Sequence, residues 1–383
     1  MEYFLTDMQK TVKQMAKTIA EEKIMPVRAE LDEKEEFPQA IIKNLADTDL
    51  LGVHIPEEYG GLGGGCFDFC LVTEELSRAC AGVAVSYAVN ALGSFTLLEY
   101  GSELQKQKYL PDIASGKRLT AFAVTEETAG SDASAIKTTA TRVDNSYVIN
   151  GTKQFITNGG EADIYTIIAL TDKEKGIRGA SALLVEKDTP GFSFGRKEKK
   201  LGIRASVTRE LVFEDCLVPA ENLIGREGMG FPMVMRLFDR SRPGIGAQAV
   251  GLAQGALEAA VDYAKKRNQF GQPIISFQAV SHMLANMAAD VEAARALVYA
   301  AARTVDSGVK SFSMESAMAK VFASDVAMRV TTDAIQIFGG VGYMRDYPVE
   351  KMMRDAKITQ IYEGTNQILR DVIASGLRKK KMS

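Results

Sequence analysis

The chain has 383 residues, of which 46% are hydrophobic and 25% are charged, as is usual for a soluble globular protein of two or three domains. Its formal net charge of −3, with both signs interspersed, argues against nucleic acid or an anionic membrane as a partner. Four cysteines and two histidines argue against a disulfide framework and against a metal site. We expect a cytoplasmic protein, because the sequence shows neither a targeting segment nor an apolar run of ~20 residues.

Residues 1–118 are predicted to form a helical domain. Near the N-terminus, apolar residues recur three and four positions apart, which is typical of an amphipathic helix: Leu5, Met8, Val12, Met15 and Ile19. A second helical segment starts at Pro38 and ends at Gly52. Helical patterns resume after a glycine-rich loop, at residues 70–80 and 84–100.

Residues 119–229 are predicted to form a β domain. Short β-branched and aromatic runs alternate with turn signals such as Asn150-Gly151 and Thr189-Pro190-Gly191. The strands follow one another with no helical pattern between them, which indicates an antiparallel barrel or sandwich.

Residues 230–383 are predicted to form a bundle of long antiparallel helices. The stretch "IGAQAVGLAQGALEAAVDYAKKRNQF" is rich in alanine and glycine, which predicts close contacts between helices. Further helical patterns cover residues 277–306 and 313–338. The fold class predicted for the whole chain is therefore α+β, with three domains.

Two short functional motifs occur without the neighbouring secondary structure that they need. "GFSFG" at 191–195 matches a serine nucleophile elbow, but it follows a Thr-Pro turn and precedes no helix. "GIGAQA" at 244–249 matches a loose dinucleotide fingerprint, but no strand precedes it, so helix packing is the better interpretation.

Four other stretches have the composition of a ligand site. "FAVTEETAGSDAS" (122–134) and "QIFGGVGY" (336–343) offer hydroxyls, glycines and free backbone N–H groups. In "KQFITNGG" (153–160), Phe155 and Thr157 alternate along a strand and are expected on one face. In "ITQIYEGTNQILRD" (358–371), Glu363 is either an exposed helix-end carboxylate or a partly desolvated general base. Taken singly, the stretch at 122–134 is explained as well by a turn, that at 153–160 by an ordinary strand pair, and that at 336–343 by a helix C-cap.

Together, these stretches and their order along the whole chain resemble the acyl-CoA dehydrogenase family, in particular its short-chain, butyryl-CoA dehydrogenase-like branch. The resemblance implies a helical N-terminal domain, a β domain and a C-terminal four-helix bundle. It also implies bound FAD, an acyl-CoA thioester as substrate and electron-transferring flavoprotein as electron acceptor. Neighbouring subunits of a homo-oligomer, expected to be a tetramer, would complete each cofactor site.

The resemblance also assigns residues. Glu363 matches the catalytic base, and Ser241 stands where some branches carry that base instead. Phe155 replaces a tryptophan that is common in the family. The implied cofactor-binding residues are Phe122, Val124, Thr125, Gly130, Ser131, Phe155, Ile156, Thr157, Arg267, Phe270, Gln278, Gln336, Ile337, Gly339, Gly340, Thr365, Asn366 and Gln367. The implied substrate-binding residues are Ser131, Asp239, Arg242, Tyr362 and Gly364.

Several alternatives stay open at this point. The same fold can work as an enoyl-CoA reductase or as an acyl-CoA oxidase, although such oxidases usually carry an extra C-terminal domain for which 383 residues leave no room. A non-catalytic helical assembly protein is the alternative from another class. The acyl pocket is expected from residues 84–100 and 235–250. There, Phe95, Leu97 and Leu98 could shorten the cavity, or the polar Asn90, Thr96 and Glu99 could serve an unusual acyl group.

Overall fold

The computed structural model describes residues 3–379. Residues 1, 2 and 380–383, which the terminal domain predictions include, lie outside the described residues. The helices are α1 (Asp7–Ile19), α2 (Arg28–Lys34), α3 (Gln39–Asp47), α4 (Cys66–Ala79), α5 (Ala81–Tyr100), α6 (Glu103–Ala114), α7 (Gly230–Lys266), α8 (Gln278–Asp306), α9 (Ser313–Phe338), α10 (Val349–Thr359) and α11 (Asn366–Lys379). The strands are β1 (Thr120–Ala123), β2 (Thr139–Val143), β3 (Ser146–Thr157), β4 (Ile164–Leu170), β5 (Ala180–Glu186), β6 (Phe192–Lys197), β7 (Thr208–Pro219), β8 (Leu223–Ile224), β9 (Asn268–Gln269) and β10 (Gln272–Pro273).

The first eight strands form one sheet in the order β6-β7-β3-β2-β4-β5-β8, with β1 also paired to β4. Most neighbours are antiparallel, as the consecutive strand pattern predicts, but β1 and β2 both pair with β4 in parallel. The sheet is therefore mixed. Ser193 of the "GFSFG" motif lies within β6 and pairs with β7, so no strand–turn–helix elbow is present there.

The long helix α7 packs closely against α4, because two glycines of α7, one turn apart, face α4. A Cβ added to Gly251 would lie 2.1 Å from the carbonyl oxygen of Glu74, and one added to Gly255 would lie 2.3 Å from that of Arg78. Such distances are impossible for a side chain, so only glycine allows the two backbones to approach this closely. The prediction that the glycine- and alanine-rich segment packs between helices is confirmed.

Helix α5 lies in the core between α4, α7 and β1. Contrary to our expectation for apolar runs, it is long and apolar enough to cross a membrane by length and composition alone. However, 94% of its most apolar window is buried inside the protein. Its hydropathy is therefore that of a core helix, whose whole circumference contacts other elements.

Candidate active site

A cavity of about 180 Å³ lies where the β sheet, α5, α7 and the turn between α10 and α11 meet. Its lining includes ten of the residues predicted to bind cofactor or substrate or to catalyse: Phe122, Val124, Thr125, Gly130, Phe155, Ile156, Thr157, Tyr362, Glu363 and Gly364. These residues come from three separate stretches of the chain. The structure thus brings the predicted base and two of the predicted cofactor segments to one cavity.

Glu363 occupies an unusual backbone conformation in the turn between α10 and α11. Its φ is +51°, in the left-handed region that glutamate rarely adopts, and Gly364 follows at +95°. A Cβ on Gly364 would also lie 3.0 Å from Leu369, so glycine is required there. The Glu363 N–H has no acceptor among residues 3–379, and it is therefore available to a ligand.

The Glu363 carboxylate is partly desolvated, and one hydrogen bond from another described residue holds it. Ser241 of α7 donates its hydroxyl to Oε2 at 2.6 Å. Burial raises the pKa of Glu363, while the Ser241 hydrogen bond and the charges of Arg242 and Lys320 act to lower it. Of the two alternatives for this carboxylate, the structure agrees with the partly desolvated one, and the role of base stays a prediction. Ile361, an apolar neighbour of Glu363 in the sequence, is 47% exposed.

A buried ion pair links two of the stretches predicted to bind the cofactor, 122–134 and 153–160. Lys153 of β3 is fully buried, and its Nζ donates to the Val124 carbonyl at 3.0 Å and to Glu126 Oε1 at 2.7 Å. Glu126 also accepts the backbone N–H groups of Lys137, at 2.6 Å, and Thr138. The pair therefore sets the position of residues 124–126 relative to the end of β3.

A bulge in β3 determines where Phe155 points. The register with β7 shifts between Lys153 and Ile156, and Phe155 itself has φ +57°. The bulge reverses the alternation, so that Ile156 turns into the core and Phe155 leaves it with 60% of its surface exposed. Phe155 and Thr157 both line the cavity, as expected, although a regular strand is not the cause.

The inner end of the cavity is apolar and is formed by residues for which the sequence offered no specific motif: Phe69, Val85, Ala88, Val89, Leu92, Phe95, Phe238, Gly244 and Ile245. Except for Phe69 they fall in the stretches 84–100 and 235–250 expected to form the acyl pocket. The polar Asn90, Thr96 and Glu99 do not line it. Asn90 binds the backbone of Thr120, and Glu99 pairs with Arg240.

Three predicted substrate residues do not line the cavity: Ser131, Asp239 and Arg242. Arg242 is buried, binds Asp239 at 2.6 Å through Nη1, and contacts the Glu363 carbonyl through Nε at 3.4 Å. Ser131 is exposed beside Gly130 at the rim. Tyr362 packs below the base, with its hydroxyl bound to Gln248. Thr365, Asn366 and Gln367 continue the turn into α11.

The remaining predicted cofactor residues lie at the far end of the helical bundle. Arg267, Phe270 and Gln278 surround the β9–β10 hairpin, and Gln336, Ile337, Gly339 and Gly340 end α9. The two groups are neighbours, because Tyr263 near the end of α7 stacks on Phe338 with ring centroids 4.1 Å apart. At ~1.5 Å per residue, about 30 Å of helix separates Ile245 in the cavity from Arg267.

Family models cover almost all of the chain. The acyl-CoA dehydrogenase N-terminal domain matches residues 6–117, the middle domain residues 121–216 and the C-terminal domain residues 228–378. The chain belongs to the acyl-CoA dehydrogenase family. The resemblance and the fold class predicted from the sequence are confirmed, and by family the chain is an oxidoreductase.

Related proteins align with this chain over almost their full length. A short-chain specific acyl-CoA dehydrogenase of Clostridium acetobutylicum is 48% identical over 98% of this chain and 99% of its own. An acryloyl-CoA reductase (NADH) of Anaerotignum propionicum is 47% identical over 99% of this chain and 97% of its own.

Solved structures of acyl-CoA dehydrogenases have the same fold. Butyryl-CoA dehydrogenase from Megasphaera elsdenii has a TM-score of 0.96 at 46% identity and covers 99% of this chain and 100% of its own. A chain in a structure of the electron transferring flavoprotein of Acidaminococcus fermentans gives 0.97 at 49% identity, covering 99% and 100%. An acyl-CoA dehydrogenase from Bacillus anthracis complexed with FAD gives 0.92 at 36% identity, covering 98% of this chain and 69% of its own.

Proposed function

We propose that the chain dehydrogenates a short, apolar acyl-CoA thioester to the 2-enoyl-CoA, with Glu363 as the base that removes the α-proton. The observation that carries this proposal is the partly desolvated Glu363 carboxylate, held by Ser241 in a cavity that Thr125, Phe155 and Thr157 also line. A desolvated carboxylate is a stronger base than one in water, which suits a weakly acidic carbon. The cofactor- and substrate-binding roles that the resemblance assigns to the other residues belong to the same proposal.

The turn that carries the base also offers an electrophilic group. Negative charge develops on the thioester oxygen as the α-proton leaves, and a positioned N–H stabilises that charge. The Glu363 N–H has no acceptor among the described residues, and the left-handed turn presents it beside its own carboxylate. Glu363 would therefore serve twice, with its carboxylate taking the proton and its N–H binding the carbonyl oxygen.

The residues present in the cavity fit the isoalloxazine ring of FAD. The exposed ring of Phe155 offers a face for stacking, and the half-buried hydroxyls of Thr125 and Thr157 offer hydrogen bonds to a flat heteroaromatic ligand. Gly130 leaves open space where a side chain would stand. When bound there, FAD supplies the acceptor for the β-hydrogen and its electron pair.

The apolar inner wall selects the acyl group. The rings of Phe69 and Phe95 pack edge to face with centroids 5.8 Å apart. The buried ring of His54 packs against both, and its Nε2 is hydrogen-bonded to Ser94 Oγ at 2.6 Å. Burial lowers the pKa of His54 to about 3, so the ring stays neutral. This packed wall closes the cavity to a long chain and offers no partner to a carboxylate on the acyl group.

The adenosine end of FAD would be bound by a neighbouring subunit. About 30 Å of α7 separates the cavity from the hairpin, so the residues predicted to bind the two ends of FAD lie far apart within one copy of the chain. Phe270 is 93% exposed, and Gly339 and Gly340 have open space around them. These exposed groups are therefore available to the cofactor of a second copy, which supports the predicted homo-oligomer; that this oligomer is a tetramer stays part of the proposal.

Electron-transferring flavoprotein is the acceptor we propose, since a near-identical fold occurs in the Acidaminococcus fermentans structure of that name. The reverse reaction, enoyl-CoA reduction, is a second candidate, favoured by the identity of 47% to the Anaerotignum propionicum acryloyl-CoA reductase. Measuring flavoprotein reduction, peroxide release and NADH-driven enoyl-CoA reduction on one preparation separates these functions.

We expect the purified protein to bind FAD and to lose the oxidised-flavin absorbance when mixed anaerobically with butyryl-CoA. Octanoyl-CoA and glutaryl-CoA should react at least ~10-fold more slowly, because methylenes or a carboxylate that the apolar wall does not accommodate weaken binding of the transition state. The measurement is the rate of flavin bleaching across this panel. A protein that takes up no FAD, or that bleaches equally with glutaryl-CoA, contradicts the proposal.

Ser241→Ala should shift the acid limb of the pH–rate profile to higher pH. The Ser241 hydrogen bond lowers the pKa of Glu363, so its removal raises that pKa and leaves less carboxylate at low pH. At high pH, where Glu363 is ionised in both proteins, the rates should converge. Flavin reduction at saturating butyryl-CoA, followed across pH, tests this, and an unshifted limb would exclude a role for Ser241 in tuning the base.

A further inference from the structure

Behind the turn that carries Glu363 lies a fully buried lysine that the proposed mechanism does not use. Lys320 of α9 has no exposed surface, and its Nζ donates to the Gly364 carbonyl at 2.8 Å and to Asn366 Oδ1 at 2.9 Å. A lysine ammonium in the core is costly unless its donors are satisfied. Both of its acceptors belong to the turn that carries the base.

The same face of α9 fixes the rest of the turn. Ser324, one helical turn after Lys320, exchanges hydrogen bonds with the Asn366 amide at 2.9 and 3.2 Å. Asp325 accepts the amides of Asn366, at 2.9 Å, and Gln360, at 2.6 Å. Residues on both sides of Glu363 are therefore bound to one rigid helix.

We propose that Lys320 is a positioning residue of the dehydrogenation, which holds the 363–366 turn so that the Glu363 carboxylate and N–H both face the cavity. The inference rests on the proposed function. The left-handed backbone at Glu363 and Gly364 is strained, and such a conformation persists only where surrounding contacts impose it. Lys320 supplies such a contact at the Gly364 carbonyl, immediately after the base.

Lys320 also acts on Glu363 through its charge. The charged groups around Lys320 are Glu363 and Arg242 on the cavity side, and Asp325 and Arg370 on its own helix and on α11. Burial lowers the pKa of Lys320 to about 7, against the favourable charge of Glu363. Because each group changes the proton affinity of the other, the acid limb of the rate profile reports the pair rather than Glu363 alone.

The test compares Lys320→Met and Lys320→Gln with Lys351→Met, which removes another buried lysine, paired with Asp355 at 2.5 Å. Loss of the Lys320 charge raises the pKa of Glu363, so the acid limb should move up by about one pH unit in both Lys320 variants. Displacement of the base should lower turnover about 10²-fold in Lys320→Met, and less in Lys320→Gln, whose amide can still donate. Lys351→Met should lose thermal stability and keep the wild-type pH profile.

Proton abstraction is read out separately by exchange of the α-hydrogens of acetyl-CoA with deuterated solvent. Acetyl-CoA has no β-carbon, so it cannot reduce the flavin, and exchange reports α-proton removal without hydride transfer. Exchange should fall in parallel with turnover in Lys320→Met, at unchanged FAD content. A normal pH profile and normal exchange in Lys320→Met would overturn the inference and leave Lys320 a stabilising residue only.

Failure of the proposed function gives a different result. In that case the wild-type protein itself neither bleaches with any acyl-CoA of the panel nor exchanges α-hydrogens. If neither Lys320 variant folds, Asn366→Ala removes one acceptor and retains the charge. It should slow exchange while the acid limb stays in place, and wild-type exchange in that variant would overturn the inference.

Discussion

Glu363→Gln is expected to lower the rate of flavin reduction by butyryl-CoA at least ~10³-fold, within the range of single general-base effects. Glutamine has the same shape and can still accept the Ser241 hydroxyl, which lies 2.6 Å from Oε2. The hydrogen bonds of Arg242 and Lys320 to this turn go to the carbonyls of Glu363 and Gly364 and to Asn366, so the change at the Glu363 side chain leaves them in place. What is lost is the ability to take a proton, so α-hydrogen exchange should fall by the same factor.

FAD content in Glu363→Gln should match the wild type, and thermal stability should be equal or higher. A partly desolvated carboxylate with a raised pKa is destabilising when ionised, so removal of its charge is not expected to lower stability. Glu174→Gln, the same change at an exposed position, is the matched control and should keep full activity. Near-normal bleaching in Glu363→Gln would remove this residue from the role of base.

Lys153→Met should destabilise the protein by about 3–5 kcal/mol, the usual effect of breaking a buried ion pair at one partner. The Glu126 carboxylate would keep two backbone donors and lose the charge of Lys153. Burial raises the pKa of Glu126, and the charge of Lys153 is the main factor that lowers it. With burial then dominant, the folded-state pKa of Glu126 should lie above the unfolded value. The deficit should therefore shrink as pH falls from ~7 towards the unfolded glutamate pKa of ~4.3.

Lys153→Met should also weaken FAD binding at least tenfold, about 1.4 kcal/mol, because the pair links Val124 and Glu126 to the end of β3. Glu126→Gln combined with Lys153→Met leaves no buried charge and should recover most of the stability. Lys351→Met breaks a buried pair elsewhere and should lose stability with unchanged FAD affinity. Denaturant titrations and flavin titrations measure the two effects, and equal FAD loss in both lysine variants would contradict a specific role for Lys153.

Local sequence patterns were sufficient for the order of the elements and for singling out Glu363 as the candidate base. Apolar spacing, turn residues and runs of β-branched residues depend on neighbours in the chain, so they predicted a helical, β and helical order. The Glu363 motif was recognisable because its chemistry is concentrated in a few consecutive residues, from Tyr362 to Gly364. The glycines of α7 were equally readable as packing residues, because their spacing is local.

Tertiary packing alone decided what surrounds that motif. The Ser241 hydroxyl and the Glu363 carboxylate are 122 positions apart in the chain, and Lys320 and Gly364 are 44 apart. The bulge that turns Phe155 outward depends on the register with β7, and Asn90 is withdrawn from the acyl wall by its bond to Thr120. The sequence by itself determined which residues could do chemistry, because propensity and motif are local. Desolvation and hydrogen bonding of the base arise between distant segments, and only the folded structure brings these together.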